Sequence, residues 1–210
     1  MIRIGIVDDH AIVRSGLRQL LSEEVDFRVT AEGADGREAL EIARSGDVDV
    51  LLLDLSMREH GGVDALTAIK ARFPELPVLI LSGFPEAHYA TTLLRQGASG
   101  YLNKECDPQE IATAIRTVAR GRRYITPAVA ELLADGAAGD RVQQPHEALS
   151  ERELQVFLRL ARGETVGHIA EQMFLSVKTV STYRSRVMEK MKLQSNSDLT
   201  YYALKNDLIA

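Results

Sequence analysis

Hydrophobic residues follow two alternating patterns over the first part of the chain. Short apolar runs are typical of strands buried on both faces, and they predict five strands: Ile2–Val7, Phe27–Ala31, Val48–Leu53, Val78–Leu81 and Ala98–Leu102. The longer segments between them carry apolar residues three and four positions apart, which predicts amphipathic helices. Regular alternation of strand and helix predicts an α/β fold with a five-stranded, doubly wound parallel sheet.

The last part of the chain shows helical spacing alone. Ser150 followed by Glu153 forms a capping box that predicts the start of a helix, and Gly163 ends it. A short second helix follows, and Ser176 caps a third over about residues 177–191. Two helices joined by a tight turn predict a small all-α helix-turn-helix domain.

A stretch without apolar period separates the two patterns. Around residues 135–148 the sequence is rich in Gly, Pro and Gln, which is typical of a linker. We therefore expect an α/β domain at 1–122, a linker with a short helix at 123–147, and a helix-turn-helix domain at 148–210.

Composition narrows the class of protein. The 210 residues are 45% hydrophobic and 26% charged, which excludes wholesale disorder. No apolar run approaches the ~20 residues of a membrane span, so we expect no membrane partner. The single cysteine, Cys106, excludes an internal disulfide framework and favours a reducing, cytoplasmic location.

Charge is divided unevenly along the chain. The net charge of -5 argues weakly against nucleic-acid binding, but residues 1–149 hold 16 Lys and Arg against 23 Asp and Glu, which is -7. Residues 150–210 hold 9 against 7, which is +2, and residues 177–193 alone carry +4. The basic charge thus falls on the predicted third helix, where it could meet DNA phosphates.

Polar side chains follow the predicted strands of the first domain. Asp8 and Asp9 end the first strand, Asp54 the third and Ser82 the fourth, while Lys104 follows the fifth. In a parallel sheet these ends meet at one edge, where ligands bind. Clustered carboxylates repel one another unless a cation is among them, and both Mg²⁺ and the Lys104 ammonium meet that need.

A single Asp at a strand end is more often a helix N-cap than a ligand. The convergence of five groups favours a site, at which an Asp beside Mg²⁺ can attack phosphorus and form an aspartyl phosphate. The five histidines show no metal-ligand spacing, although His10 directly follows the acidic pair.

Five motifs in order resemble the receiver domain of two-component response regulators: IVDDH at 6–10, LLDLSM at 52–57, Gly61-Gly62, Leu81-Ser82-Gly83 and GASGYLNK at 97–104. The resemblance covers about residues 1–122 and implies a flavodoxin-like fold. It implies that Asp54 is the phosphoacceptor, that Lys104 pairs with the phosphoryl group, and that Ser82 and Tyr101 form a switch pair. It further implies a Mg²⁺ site, formed by Asp8, Asp9, Asp54 and the backbone carbonyl of Ser56.

Residues 148–208 closely resemble the LuxR-type DNA-binding domain. The resemblance implies that Lys178 and Thr179 contact phosphates. It places the other DNA-facing positions of the recognition helix at Ser181, Thr182, Arg184, Ser185 and Arg186.

Two positions depart from these families. Arg58 stands where receivers usually have Pro, which could alter the lifetime of the phosphoryl group or leave Arg58 as a solvated loop residue. Val166-Gly167-His168 stands where an Asn-Lys pair is frequent, which puts one phosphate contact in doubt.

Together the two resemblances imply a response regulator of the NarL/FixJ type. Its implied partners are a sensor histidine kinase, double-stranded DNA and, on phosphorylation, a second copy of the chain, with no turnover of an external substrate. One alternative is a phosphatase or phosphotransferase, but Asp54-Leu55-Ser56 lacks the second Asp of haloacid-dehalogenase-type sites. The other is a phosphorylation-independent regulator that uses the receiver only for dimerisation.

Overall fold

The computed structural model describes residues 1–55, 57, 61–83, 86–137, 144–173, 175–206 and 208–209. The chain forms two compact units, Met1–Arg141 and Val142–Ala210. Within the described ranges, no helix combines the length and the apolar character needed to cross a membrane.

The first unit contains the predicted parallel sheet. Its strands are β1 Ile2–Val7, β2 Phe27–Gly33, β3 Val50–Leu53, β4 Val78–Ser82 and β5 Gly100–Asn103. All neighbours pair in parallel, in the order β2-β1-β3-β4-β5. The order reverses direction between β1 and β3, and in doubly wound sheets this switch point is where ligands bind.

Burial along the strands follows their place in the sheet. Every residue of the interior strands β3 and β4 is buried, whereas β2, at the edge, has exposed Arg28, Thr30 and Glu32 between more buried neighbours. Strands covered on both faces read as continuous apolar runs, and edge strands alternate. The apolar pattern accordingly predicted β4 to within one residue at each end and the last residue of β3, although it began β3 two residues early.

Helices cover both faces of the sheet. They are α1 Ala11–Ser22, α2 Gly36–Ser45, α3 Gly62–Arg72, α4 Glu86–Arg95 and α5 Pro108–Ala119. Leu17 and Leu21 of α1 and Ile111, Ile115 and Val118 of α5 pack with the apolar side chains of one sheet face into a continuous core. The doubly wound α/β fold is therefore confirmed.

The second unit is entirely helical. It holds a 3₁₀ turn at Pro145–Ala148 and the helices α7 Glu151–Ala161, α8 Val166–Gln172, α9 Val177–Met191 and α10 Asn196–Lys205. Both halves of the predicted Ser150 capping box are present, and Ser176 Oγ accepts the backbone N–H of Thr179 at the start of α9. The capping signals in the sequence thus predict the first residue of both α7 and α9.

The predicted linker includes an eleven-residue helix, α6 Pro127–Ala137, which packs against α4. Tyr124 also pairs with Gly100 of β5, and its hydroxyl donates to Glu110 Oε1 at 3.0 Å. At the far end, His146 Nδ1 lies 2.9 Å from the Tyr202 hydroxyl of α10. Each described part of the predicted linker therefore packs on the unit beside it. The boundaries at residues 122 and 148 stay a prediction.

Candidate functional site

Two carboxylates meet at the switch point of the sheet. Val7 pairs with Leu53 in the register of β1 and β3, and the Asp54 N–H donates to the Val7 carbonyl at 2.8 Å. This register carries Asp8 and Asp54, the next residue of each strand, to the same edge. Both are 1% exposed. Two buried carboxylates side by side need a nearby positive charge.

Lys104 supplies that charge from the end of β5. Its ammonium lies 2.6 Å from Asp8 Oδ2 and 3.0 Å from Asp54 Oδ1. Burial by itself would lower the pKa of Lys104, but the carboxylates of Asp54 and Asp8 outweigh it and hold that pKa above its ordinary value. Lys104 is therefore a permanent cation within the pocket. The predicted convergence of these three groups on one edge is borne out by their distances.

His10 is part of the same pocket, although the spacing of the histidines predicted no ligand role for it. Its backbone N–H donates to Asp8 Oδ1 at 2.8 Å, and its Nδ1 lies 2.8 Å from Asp9 Oδ1 and 3.3 Å from Asp8 Oδ1. The signal that could have found it was its place directly after the acidic pair.

Asp8, Asp9, His10 and Asp54 each offer one ligand atom, and these four atoms lie within 4.8 Å of one another. Carboxylate oxygens are the ligands that hard divalent cations prefer, so the donor set fits such an ion. Ser56, whose backbone carbonyl the resemblance adds to the set, lies outside the described residues, as do Arg58 and His60.

The predicted switch residues lie on neighbouring strands. Ser82 pairs with Asn103, and Tyr101 is two residues before Asn103, so Ser82 and Tyr101 lie on the same face of the sheet. Ser82 is 0% and Tyr101 1% exposed. Ser82 also accepts the backbone N–H of Lys104 through its carbonyl at 2.8 Å, which links this pair of strands to the charged pocket.

A second candidate site lies on α9 in the helical unit. Val180, Val187 and Met191 are buried on one side of the helix. Of the seven predicted DNA-facing residues, Thr179 and Arg184 are half-buried, and the exposed ones are Lys178, Ser181, Thr182, Ser185 and Arg186. These five recur every three or four residues and so form one exposed, basic and hydroxyl-rich side.

Several of these side chains already have partners within the unit. Thr182 and Ser185 donate their hydroxyl hydrogens to the carbonyls of Lys178 and Ser181, at 3.0 and 3.1 Å. Arg184 Nε donates to Asn196 Oδ1 at 3.0 Å. The oxygens of these two hydroxyl groups can therefore still accept hydrogen bonds from another molecule, while the Arg184 side chain is directed toward α10.

Lys190 is one of the basic residues of the stretch 177–193, whose net charge is +4, yet its ammonium makes its contacts within the helical unit. Its ammonium donates to Glu153 Oε2 at 2.6 Å and ties α9 to the start of α7. Glu153 is 2% exposed. Burial would raise the pKa of Glu153, but the hydrogen bonds from Lys190 and Ser150 outweigh it and hold that pKa below its ordinary value.

Replacing Lys190 by Met should destabilise the helical unit by about 1–2 kcal/mol, because the buried carboxylate of Glu153 loses its cationic partner. The effect stays in this range because Lys190 is half-exposed, and solvent weakens its attraction to Glu153. A carboxyl with a lowered folded-state pKa stabilises the fold above its ordinary pKa, and this contribution disappears as the pH falls through the lowered value. The pH dependence in this acidic range should therefore shrink in the variant. Hydrogen exchange of α7 and α9 amides measures both effects.

Lys205→Met, which removes an exposed lysine of α10, serves as the control and should leave this exchange unchanged. Equal protection of α7 and α9 in the Lys190→Met and wild-type chains would contradict the structural role assigned to Lys190.

Two family profiles match the chain. One, described as the response regulator receiver domain, matches residues 4–116. The other, described as bacterial regulatory proteins of the luxR family, matches residues 147–203.

The chain is also similar to other proteins over almost its whole length. The chain is 36% identical over 209 residues to the response regulator UvrY of Escherichia coli K12, covering 99% of this chain and 96% of UvrY. It is 34% identical to the response regulator GacA of Pseudomonas aeruginosa, covering 100% of this chain and 98% of GacA. A structure of Salmonella enterica RcsB bound to promoter rprA with the phosphomimetic BeF₃⁻ aligns with a TM-score of 0.60. That match has 25% identity and covers 96% of this chain and 97% of RcsB.

Proposed function

Because this chain belongs to the response regulators that join a receiver domain to a LuxR-family DNA-binding domain, we propose that phosphorylation of Asp54 controls how tightly α9 binds DNA. The chain is a DNA-binding transcriptional regulator under phosphorylation control, as its family is. The observation that carries the assignment of Asp54 is its place beside Asp8 and within 3.0 Å of the Lys104 ammonium.

The proposed reaction is the transfer of a phosphoryl group from a sensor histidine kinase. An oxygen of Asp54 forms a bond to phosphorus while the bond from phosphorus to the donor nitrogen breaks, and the imidazole leaves as the phosphoryl group departs. Asp8, Asp9, Asp54 and the Ser56 carbonyl would hold Mg²⁺, which would supply positive charge to neutralise the transferring group. Lys104, which lies 2.6 Å from Asp8 Oδ2 before phosphorylation, then pairs with a phosphoryl oxygen.

The switch in this proposal begins at Ser82. Its hydroxyl turns toward the new phosphoryl group, and the Tyr101 ring on the same sheet face follows. New charge-assisted hydrogen bonds favour one of two conformers, so phosphorylation acts as a population shift. No external substrate is turned over, because the phosphoryl group stays on the chain until water removes it.

The proposed output is a homodimer on two DNA half-sites about one helical turn apart, in the cytoplasm. Lys178 and Thr179 contact phosphates at the start of α9, while Ser181, Thr182 and Ser185 face bases. Arg186 is exposed beside them, and Arg184 leaves Asn196 to join them. Because the helical unit is only weakly basic, one copy binds poorly, and pairing raises the effective concentration of the second.

Operator affinity tests the proposal. Genome-wide footprinting with protein treated with acetyl phosphate and Mg²⁺ first identifies a site. At matched salt, the treated wild type should bind that site about tenfold or more tightly than Asp54→Asn treated the same way, since only the wild type pairs. Equal affinity would instead favour a phosphorylation-independent regulator that uses its receiver for dimerisation alone.

A further inference from the structure

We propose that His10 is a direct ligand of the divalent cation in the acidic pocket, and that the pocket therefore binds Mn²⁺ and Co²⁺ in preference to Mg²⁺. This inference rests on the cation site proposed above. It concerns the ion preference of the pocket, because the carboxylates alone do not determine which divalent cation binds most tightly.

The spacing of the ligand atoms carries the proposal. Two ligands at right angles around a cation, each ~2.1 Å from it, are about 3 Å apart. His10 Nδ1 lies 2.8 Å from Asp9 Oδ1 and 3.3 Å from Asp8 Oδ1. Opposite ligands are about 4.2 Å apart by the same reasoning. The four candidate atoms lie within 4.8 Å of one another, so the farthest pair has to close by up to about 0.6 Å (4.8 − 4.2) to share one ion. Nδ1 is thus at the distance of a neighbouring ligand, and it can bind an ion in the tautomer that carries the ring proton on Nε2, in which Nδ1 does not donate to Asp8 Oδ1.

The two oxygens of Asp8 contact different groups of the pocket. Oδ2 receives the Lys104 ammonium at 2.6 Å, whereas Oδ1 faces the His10 backbone and ring. Lys104 therefore occupies one side of Asp8, and the imidazole lies on the other, next to Asp9. An ion between Asp9 and His10 does not displace the ion pair with Lys104.

The His10 ring is not engaged in capping the helix that follows it. His10 is the N-cap residue of α1 and has extended backbone angles, but its side chain makes no capping hydrogen bond. Its own backbone N–H donates to Asp8 Oδ1, which holds the ring over the pocket. The side chain is 55% exposed, so ions from solvent can reach the ring nitrogen.

Nitrogen ligation alters ion preference. Mg²⁺ prefers an all-oxygen shell, whereas imidazole suits transition metals, whose affinities rise from Mn²⁺ to Co²⁺ and beyond. Replacing one oxygen ligand or water by Nδ1 therefore raises the affinity for Mn²⁺ and Co²⁺ relative to Mg²⁺.

Pulsed EPR of the Mn²⁺-loaded full-length chain tests the ligand directly, since it detects hyperfine coupling from a coordinated ¹⁴N. We expect this coupling in the wild type and its loss in His10→Asn, which still offers an amide oxygen. The affinity for Co²⁺ should fall about tenfold in that variant, while the Mg²⁺ affinity changes less than about threefold. His60→Asn, at the histidine nearest the phosphoacceptor in sequence, is the matched control and should keep the coupling.

The outcomes separate this inference from the cation site on which it rests. Mn²⁺ that binds and is displaced by Mg²⁺ without any nitrogen coupling overturns ligation by His10 and leaves the cation site standing. Coupling lost in His60→Asn but kept in His10→Asn overturns it as well. A chain that binds neither Mn²⁺ nor Mg²⁺ overturns the cation site itself. Bound Mn²⁺ in His10→Asn shows that the variant is folded.

Discussion

Incubation with acetyl phosphate and Mg²⁺ is expected to add about 80 Da, the mass of one phosphoryl group, to the wild-type chain and nothing to Asp54→Asn. Asp54 is 1% exposed and lies 3.0 Å from the Lys104 ammonium, where a second negative group can be neutralised. Asparagine keeps the size of the side chain but has no carboxylate to attack phosphorus. Intact-mass spectrometry of the two proteins under identical conditions measures the difference.

Asp107→Asn is the matched control for this experiment. Asp107 is an exposed carboxylate three residues after Lys104, and it caps α5 by accepting the Gln109 N–H at 2.8 Å. Asparagine caps about as well as aspartate, so this variant should take up the phosphoryl group like the wild type. An adduct that persists in Asp54→Asn would move the phosphoacceptor to another carboxylate. No adduct in the wild type with any donor would favour the phosphorylation-independent alternative.

Gly62→Ala is expected to destabilise the α/β unit by about 3 kcal/mol, whereas Gly61→Ala should change its stability by less than about 1 kcal/mol. A Cβ on Gly62 would overlap the Asp54 carbonyl oxygen and come within 2.6 Å of Leu55 Cα. Both are backbone atoms, which cannot rotate away as a side chain can. A Cβ on Gly61 would meet none of the described residues within 4 Å. Urea unfolding of the two variants measures the difference.

The same overlap concerns phosphorylation, because the atom in the way belongs to the phosphoacceptor. Relief of the clash requires α3 or the end of β3 to shift, and a shift at the end of β3 moves Asp54 relative to Lys104. Gly62→Ala should therefore accept the phosphoryl group more slowly than Gly61→Ala in the mass assay, even where both proteins are folded. Equal stability and equal rates in the two variants would show that this contact between α3 and β3 is not tight.

Much of the fold could be predicted from local patterns. Every predicted strand lies within two residues of an observed one, because burial on both faces requires a run such as Val50–Leu53 to be apolar throughout. The start of α9 could also be predicted, because Ser176 caps the helix through a hydrogen bond from the Thr179 N–H, only three residues away. Patterns of this kind depend on neighbours in sequence, so a sequence shows them directly.

Most members of the charged pocket could be predicted from the sequence, but its geometry could not. The order of strands and their polar ends placed Asp8, Asp54 and Lys104 at one edge. That Lys104 contacts both carboxylates, and that His10 completes the set on the side of Asp9, depends on strand register and side-chain rotamers. The same limit applies to Lys190, whose charge was visible in the sequence and whose partner, Glu153, was not.

The sequence by itself determined the two-part architecture and the acidic and basic division of charge, because both follow from composition and short-range periodicity. The candidate residues for phosphoryl chemistry followed from the polar ends of the strands, and those for DNA contact from the resemblance to the LuxR-type domain. Tertiary structure decided which of these residues touch. The bond between Lys104 and Asp8 joins residues 96 positions apart, and the crowding at Gly62 arises only where α3 meets the end of β3. Such contacts depend on strand order, register and close packing, which no short segment of the chain contains.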